Sequence, residues 1–168
     1  MKKWLMPALT LVIAIQLITP IYMIANKYHI LETGEEFKFR VSPVDPYDAF
    51  RGKYVSLNSR QDASGEGKYG AITVDADGFA RIYQLSDHKP VSGAYVKSKR
   101  SYYFSLPIDR YYMDEKYAPR AETLTRRREA GKEAYVTVRV KNGELIISGL
   151  FIDGVSIEDI IRTEIQNQ

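Results

Sequence analysis

Tyr135-Val136-Thr137-Val138-Arg139-Val140 and Leu145-Ile146-Ile147 enclose the dipeptide Asn142-Gly143. Both flanking runs are rich in β-branched residues, which suit a pleated, half-buried surface, and Asn-Gly accepts the two positive φ angles of a tight hairpin turn. An antiparallel hairpin is the reading, and the sequence upstream extends it into a sheet. Phe37-Lys38-Phe39-Arg40-Val41 alternates apolar and charged residues with the period of a half-buried strand. Lys53–Asn58 reads as a second strand, and Ala71–Val74 and Phe79–Tyr83 flank Asp75-Ala76-Asp77-Gly78, where Asp-Gly signals another hairpin. Tyr95–Lys97 and Ser101–Leu106 add two further candidates.

Two stretches break the β pattern. Residues 115–130 (EKYAPRAETLTRRREA) favour helix, with Pro119 in a first turn and Gly131 as the stop. Ser156-Ile157-Glu158-Asp159 resembles an N-cap entering a short helix from Ile157 to Ile165, near enough to the terminus that fraying is expected. The expected fold class is therefore mainly β: a compact antiparallel β domain over residues 36–155 with one packed helix, followed by a short helix or tail over 156–168.

Trp4 to Ala25 (WLMPALTLVIAIQLITPIYMIA) holds 22 consecutive residues without a formal charge. At ~1.5 Å per residue a helix of that length crosses a hydrocarbon core of ~30 Å. Gln16, Thr10 and Thr19 are its strongly polar side chains, Pro7 falls in the first turn, and Pro20 is placed near the far end. Trp4 and Tyr22 sit near the two interfaces, where aromatic residues concentrate. A cleaved signal peptide has a shorter apolar core and small residues before its cut, whereas Met23 stands where such a residue is wanted before Ala25. A retained transmembrane signal-anchor over 4–25 follows, with residues 1–3 cytoplasmic because of Lys2 and Lys3, and 26–35 as a juxtamembrane segment. The domain beyond is expected outside the cytoplasm, or in the periplasm of a two-membrane envelope.

The 168 residues contain no Cys and two His, which removes disulfides, thiol catalysis and Cys-ligated zinc, and no cofactor or metal is expected. Formal net charge is +3, and with Lys2 and Lys3 set aside the remainder is nearly neutral. Nucleic-acid binding is not expected. Arg126-Arg127-Arg128 reads as a solvated helix face.

The densest turn chemistry is Pro43-Val44-Asp45-Pro46-Tyr47-Asp48-Ala49-Phe50-Arg51-Gly52-Lys53-Tyr54. Arg51 paired with Asp45 or Asp48 would lock this loop, and ligand recognition is the competing role. Asp45-Pro46-x-Asp48-x-x-Arg51-Gly52-x-Tyr54-x-x-Leu57 resembles the signature of the GDYXXLXY family, bacterial membrane-anchored proteins of unknown function. Gly52, Tyr54 and Leu57 agree with the eponymous octet, while Lys53 replaces its acidic residue and Ser59 its final Tyr. The resemblance continues through Arg110-Tyr111-Tyr112-Met113-Asp114-Glu115 and Gly149-Leu150-Phe151-Ile152-Asp153-Gly154. It implies a multi-pass integral membrane protein as partner.

Tyr54 and Leu57, three apart in a strand, point to opposite faces unless a bulge intervenes. Tyr54 either buries its ring at the sheet edge or serves a binding role. Tyr102-Tyr103-Phe104 and Tyr111-Tyr112 place five aromatics within eleven residues. Alternation sends Tyr103 to the face opposite Tyr102 and Phe104, so the cluster is either core beneath the 115–130 helix or a contact surface. For chemistry, Ser56, Ser92, Ser98 and Ser101 coexist with Lys53, Lys97 and Lys99, but no nucleophile frame surrounds any of them. His29 and His88 lack a triad context. The functional expectation is a non-enzymatic accessory or interaction module beside an integral membrane partner, with Asp45, Asp48, Arg51, Gly52, Tyr54, Leu57, Tyr103, Tyr111 and Tyr112 as candidate contacts. An envelope hydrolase with a Ser/Lys nucleophile and a small-molecule or lipid sensor are the alternatives.

Overall fold

A computed structural model describes residues 4–43, 54–59, 65–100, 102–114, 117, 120, 121, 124 and 133–166. The first helix, α1, runs Leu5–Thr33 and therefore continues eight residues past the apolar run that ends at Ala25. Nothing in Asn26–Thr33 breaks a helix. Pro20, placed near the end of the membrane run by sequence, consequently stands in the helix interior. Through Ala25 the large apolar side chains of α1 are exposed on all sides, and the helix is long and apolar enough to cross a membrane.

Gly34 ends α1. Its N–H donates to the Ile30 carbonyl at 2.8 Å, and its backbone turns to an extended conformation. A Cβ there would lie 2.5 Å from the Ile30 carbonyl oxygen and 3.1 Å from Arg139 Cβ, so only glycine lets the chain pass. The next residue opens β1.

The strands are β1 (Glu35–Pro43), β2 (Tyr54–Ser59), β3 (Tyr69–Val74), β4 (Ala80–Ser86), β5 (Tyr95–Lys97), β6 (Arg110–Tyr112), β7 (Ala134–Lys141), β8 (Glu144–Ile152) and β9 (Val155–Ser156). The second helix named here, α2, is Ile157–Gln166. Six strands form one sheet in the order β6-β2-β1-β7-β8-β9 and three form another, β4-β3-β5, with antiparallel pairing throughout both. The fold is mainly β, as the alternation and turn signals imply. Asn142 (φ 53°) and Gly143 (φ 80°) make the β7–β8 turn, with Lys141 opposite Glu144. Lys97 N–H donates to the Gly143 carbonyl at 2.9 Å, which ties β5 of the small sheet to the hairpin tip of the large one.

One core serves both sheets. β1 contributes Phe37, Phe39 and Val41, β7 Val136 and Val138, β8 Leu150, and the small sheet Ile82 and Val96. Ile157 and Ile161 of α2 are fully buried in the same core, so the C-terminal helix that sequence position suggested would fray is held by packing. Its start is capped as its sequence implies: Asp159 N–H donates to Ser156 Oγ at 3.2 Å.

Two expectations need adjustment. Of Ser101–Leu106, the described residues Tyr102–Leu106 form no strand: the chain bends at Tyr102 and Tyr103, and the strand of this region is β6. Phe104, Leu106 and Ile108 still alternate into the core while Tyr102 is 88% exposed, so Tyr102 and Phe104 do not share a face. The pattern is that of a strand, but the neighbouring edge is occupied by loop backbone. Of the 115–130 helix, Arg120, Ala121 and Leu124 are helical, with Ala121 buried, and Tyr117 is in a turn; the rest lies outside the described residues.

Candidate functional site

The long apolar helix α1 is fastened to the domain before it ends. Ile30 is 3% exposed, and burying a side chain of that size contributes about 1.5–3 kcal/mol. Around it, Lys27 Nζ pairs with Glu144 Oε2 at 2.9 Å, and Lys141 Nζ donates to Thr33 Oγ1 at 2.6 Å and lies 2.9 Å from His29 Nε2. Arg139 donates from Nη1 to the Gly34 carbonyl at 3.1 Å and pairs through Nη2 with Glu36 at 2.8 Å. Exposed pairs contribute little singly. Here they surround a buried apolar contact and a glycine with no room to shift, so α1 packs on the β7–β8 hairpin and enters β1 without a flexible linker.

Beside this junction lies an open groove of about 430 Å³. Lys27 of α1 forms one wall, Leu145, Ile146 and Ile147 of β8 the floor, and Lys99, Asp109, Arg110, Tyr111 and Tyr112 the opposite wall. The far wall follows from local sequence: with Phe104, Leu106 and Ile108 directed inward, Pro107 and Asp109 turn outward. Lys99 and Asp109 form an ion pair across that segment. Tyr112 is 67% exposed, whereas Tyr111 is half-buried and donates its phenol to the Glu158 carboxylate of α2. Burial, and then the Glu158 carboxylate, hold the Tyr111 phenol above its ordinary pKa. Tyr111 is thus a neutral donor committed to structure, and Tyr112 is the more exposed of the two rings. The groove combines apolar side chains of β8 with phenols and with lysines held in ion pairs.

The pairing of β2 with β6 brings together two sequence motifs more than fifty residues apart: Tyr54 lies opposite Tyr112, Val55 opposite Tyr111 and Ser56 opposite Arg110. Leu57 is buried, and its N–H donates to the Asp109 carbonyl at 3.0 Å, which extends the same attachment. Leu57 is therefore a core residue and not a contact. Tyr103 is half-exposed with the Arg100 guanidinium 4.9 Å from its ring centre, and it does not line the groove. Asp45, Asp48, Arg51 and Gly52, with the Arg51 pairings expected of them, lie outside the described residues.

Sequence reasoning missed Lys27 and Asp109, whose only signal is charge beside an apolar or aromatic run, and weighed Lys99 only as a partner for a serine nucleophile. It also missed Arg40, whose guanidinium binds Asp75 Oδ2 at 2.7 Å, Asp77 at 3.0 Å and Glu133 at 2.9 Å and covers the Phe79 ring at 3.9 Å. Burial opposes the Arg40 charge, but these three carboxylates outweigh it and raise its pKa. The cluster clamps β1 to the β3–β4 turn. Ser98, among the serines considered as nucleophiles, uses its Oγ to donate to the Arg100 carbonyl at 2.7 Å and to accept the Ser105 N–H at 3.1 Å. That hydroxyl holds a loop.

A family model described as GDYXXLXY protein matches residues 16–150. No curated protein and no solved structure matches the chain.

Proposed function

This chain belongs to the GDYXXLXY family, and we propose that it works as a membrane-tethered, non-enzymatic accessory module for an integral membrane partner. The observation that carries the proposal is the weld between α1 and the β7–β8 hairpin. A helix able to span the bilayer passes through Gly34 into β1 with Ile30 buried on the way. The domain is then held at a fixed height over the bilayer, and the Lys27–Tyr112 groove beside the junction faces what else protrudes there. Lys2 and Lys3 favour the cytoplasmic side, which puts the groove on the extracytoplasmic face. An exposed Tyr with neighbouring cations and an apolar floor has the composition of a protein contact centre, where Tyr and Arg are enriched. The partner is a multi-pass protein with a loop that carries apolar residues.

Purification of the tagged full chain in mild detergent tests this. One membrane protein is expected to co-elute in fixed ratio with the wild type and to be lost with Tyr112→Ala. The unfolding free energy of that variant should stay within about 0.5 kcal/mol of wild type, as for surface changes. Elution of the folded chain alone, under cross-linking as well as without it, would refute the proposal.

A further inference from the structure

Gln16 stands near the middle of the apolar run of α1, nine residues before Ala25 and twelve after Trp4. At ~1.5 Å per residue its side chain is ~14 Å from one end of the run and ~18 Å from the other, too far to snorkel to water. It is exposed, and among the described residues its amide has no hydrogen-bond partner. The other polar side chains of the span are satisfied internally: Thr10 Oγ1 donates to the Met6 carbonyl at 3.0 Å and Thr19 Oγ1 to the Ile15 carbonyl at 2.8 Å.

A second deficit falls on the same residue. Pro20 lies inside the helix four positions later, and proline has no N–H to give to the carbonyl four residues before it. The Gln16 backbone carbonyl therefore lacks its helical donor. One position in the lipid thus presents two amide hydrogens, an amide oxygen and an unserved carbonyl, and leaving such groups unmade in hydrocarbon costs several kcal/mol.

We infer that α1 pairs in parallel with α1 of a second copy of this chain, with Gln16 facing Gln16. The donor and acceptor inventory selects this occupant. Each carboxamide has one N–H for the partner's amide oxygen and one for a Gln16 carbonyl, so two copies satisfy each other in full. Parallel copies place both residues at one depth automatically, whereas any other helix must carry a polar group at that depth by coincidence. The face also fits a left-handed pair: Leu9, Val12, Thr19 and Met23 share the stripe with Gln16 at heptad spacing. This pairing rests on α1 spanning the bilayer and is independent of the groove.

Because the chain contains no Cys, each introduced cysteine is a unique reporter. Full-length single-Cys variants at Leu9, Val12 and Met23, and at the off-face positions Leu11, Ile18 and Ile21, are oxidised in membranes. Disulfide-linked dimer is expected at the first three and not at the others. Adding Gln16→Leu is expected to lower the dimer association about three- to fifteen-fold, the range for an interhelical hydrogen bond in bilayers, and Gln16→Asn to retain most of it. Uniform cross-linking, a maximum on the Leu11 face, no effect of Gln16→Leu, or capture only of a different protein would each overturn the pairing. Alkaline extraction of the same membranes separates the causes: protein that washes out refutes the spanning helix as well, while protein retained without the dimer refutes the pairing alone.

Discussion

The guanidinium of Arg40 on β1 meets the carboxylate of Asp75 at 2.7 Å, at the turn between β3 and β4, and so joins an interior strand of the six-stranded sheet to the hairpin of the other. Asp75 also accepts the Phe79 N–H at 2.8 Å and the Asp77 N–H at 3.0 Å. The Phe79 N–H first, and then Arg40, draw its pKa down to about 2 against partial burial. A carboxylate more acidic in the folded than in the unfolded chain stabilises the fold at pH above the unfolded value of ~3.9, and that contribution disappears as pH falls towards 2. The urea midpoint of the full chain in detergent is expected to drop between pH 4.5 and 2. Asp75→Asn should be less stable than wild type at pH 7 and should show a shallower acid limb. An acid limb of equal slope in both proteins would show that other carboxylates govern it.

At the alkaline end the residue to watch is Tyr111. Its phenol is half-buried and donates to Glu158, and both effects raise its pKa. The protonated phenol thus contributes stability that is complete below the unfolded value of ~10 and is lost as pH rises beyond it through the folded value. Tyr111→Phe is expected to cost about 1–2 kcal/mol at pH 7, the range for one hydrogen bond to a charged group with a half-exposed acceptor. The gap between the two proteins should narrow between pH 10 and 12, followed by urea unfolding.

What sequence made legible here, and what it did not, divides by the range of the interactions involved. The hairpins at Asn142-Gly143 and Asp75–Gly78 are local, since their backbone angles depend on the residues in the turn itself, and both were readable. Ser101–Leu106 read as a strand with Tyr102 and Phe104 on one face, but whether such a segment becomes a strand depends on which edge it meets, and no local pattern reports that. The adjacency of Tyr54 and Tyr112 was hidden for the same reason, being set by the pairing of β2 with β6. α1 was readable as a helix long and apolar enough to span a membrane from its apolar run alone. Its extension to Thr33 was not, because Asn26–Thr33 owes its place to Ile30, Lys27 and His29 docking on β7 and β8.

That docking leaves Gly34 no freedom. A methyl group there would sit 2.5 Å from the Ile30 carbonyl oxygen and 3.2 Å from the Val140 nitrogen, both backbone atoms that cannot step aside. Gly34→Ala has an acceptable φ of −70°, so its cost is overpacking, typically about 1–3 kcal/mol. The expected signature is local: faster protease cleavage and faster amide exchange around residues 30–36 than in the β7–β8 hairpin. A variant with wild-type exchange at the junction would mean that α1 and the domain are coupled less tightly than the contacts around Ile30 imply.

The C-terminal helix offers a comparison with its own internal control. α2 turns Ile157 and Ile161 into the core, while Ile165, one turn further, is 56% exposed. Ile161→Ala removes a fully buried side chain from a site bounded by strands on one side and unable to collapse freely, and should cost about 2–5 kcal/mol. Ile165→Ala should stay within about 0.5 kcal/mol of wild type, as surface substitutions do. Because Glu158 and Glu164 of the same helix hold Tyr111 and Arg120, the loss at Ile161 should also loosen those attachments. Amide exchange is therefore expected to rise in β6 as well as in α2. Equal stabilities for the two alanine variants would show that α2 contributes nothing to the core and would return it to the frayed tail that its position in the chain suggests.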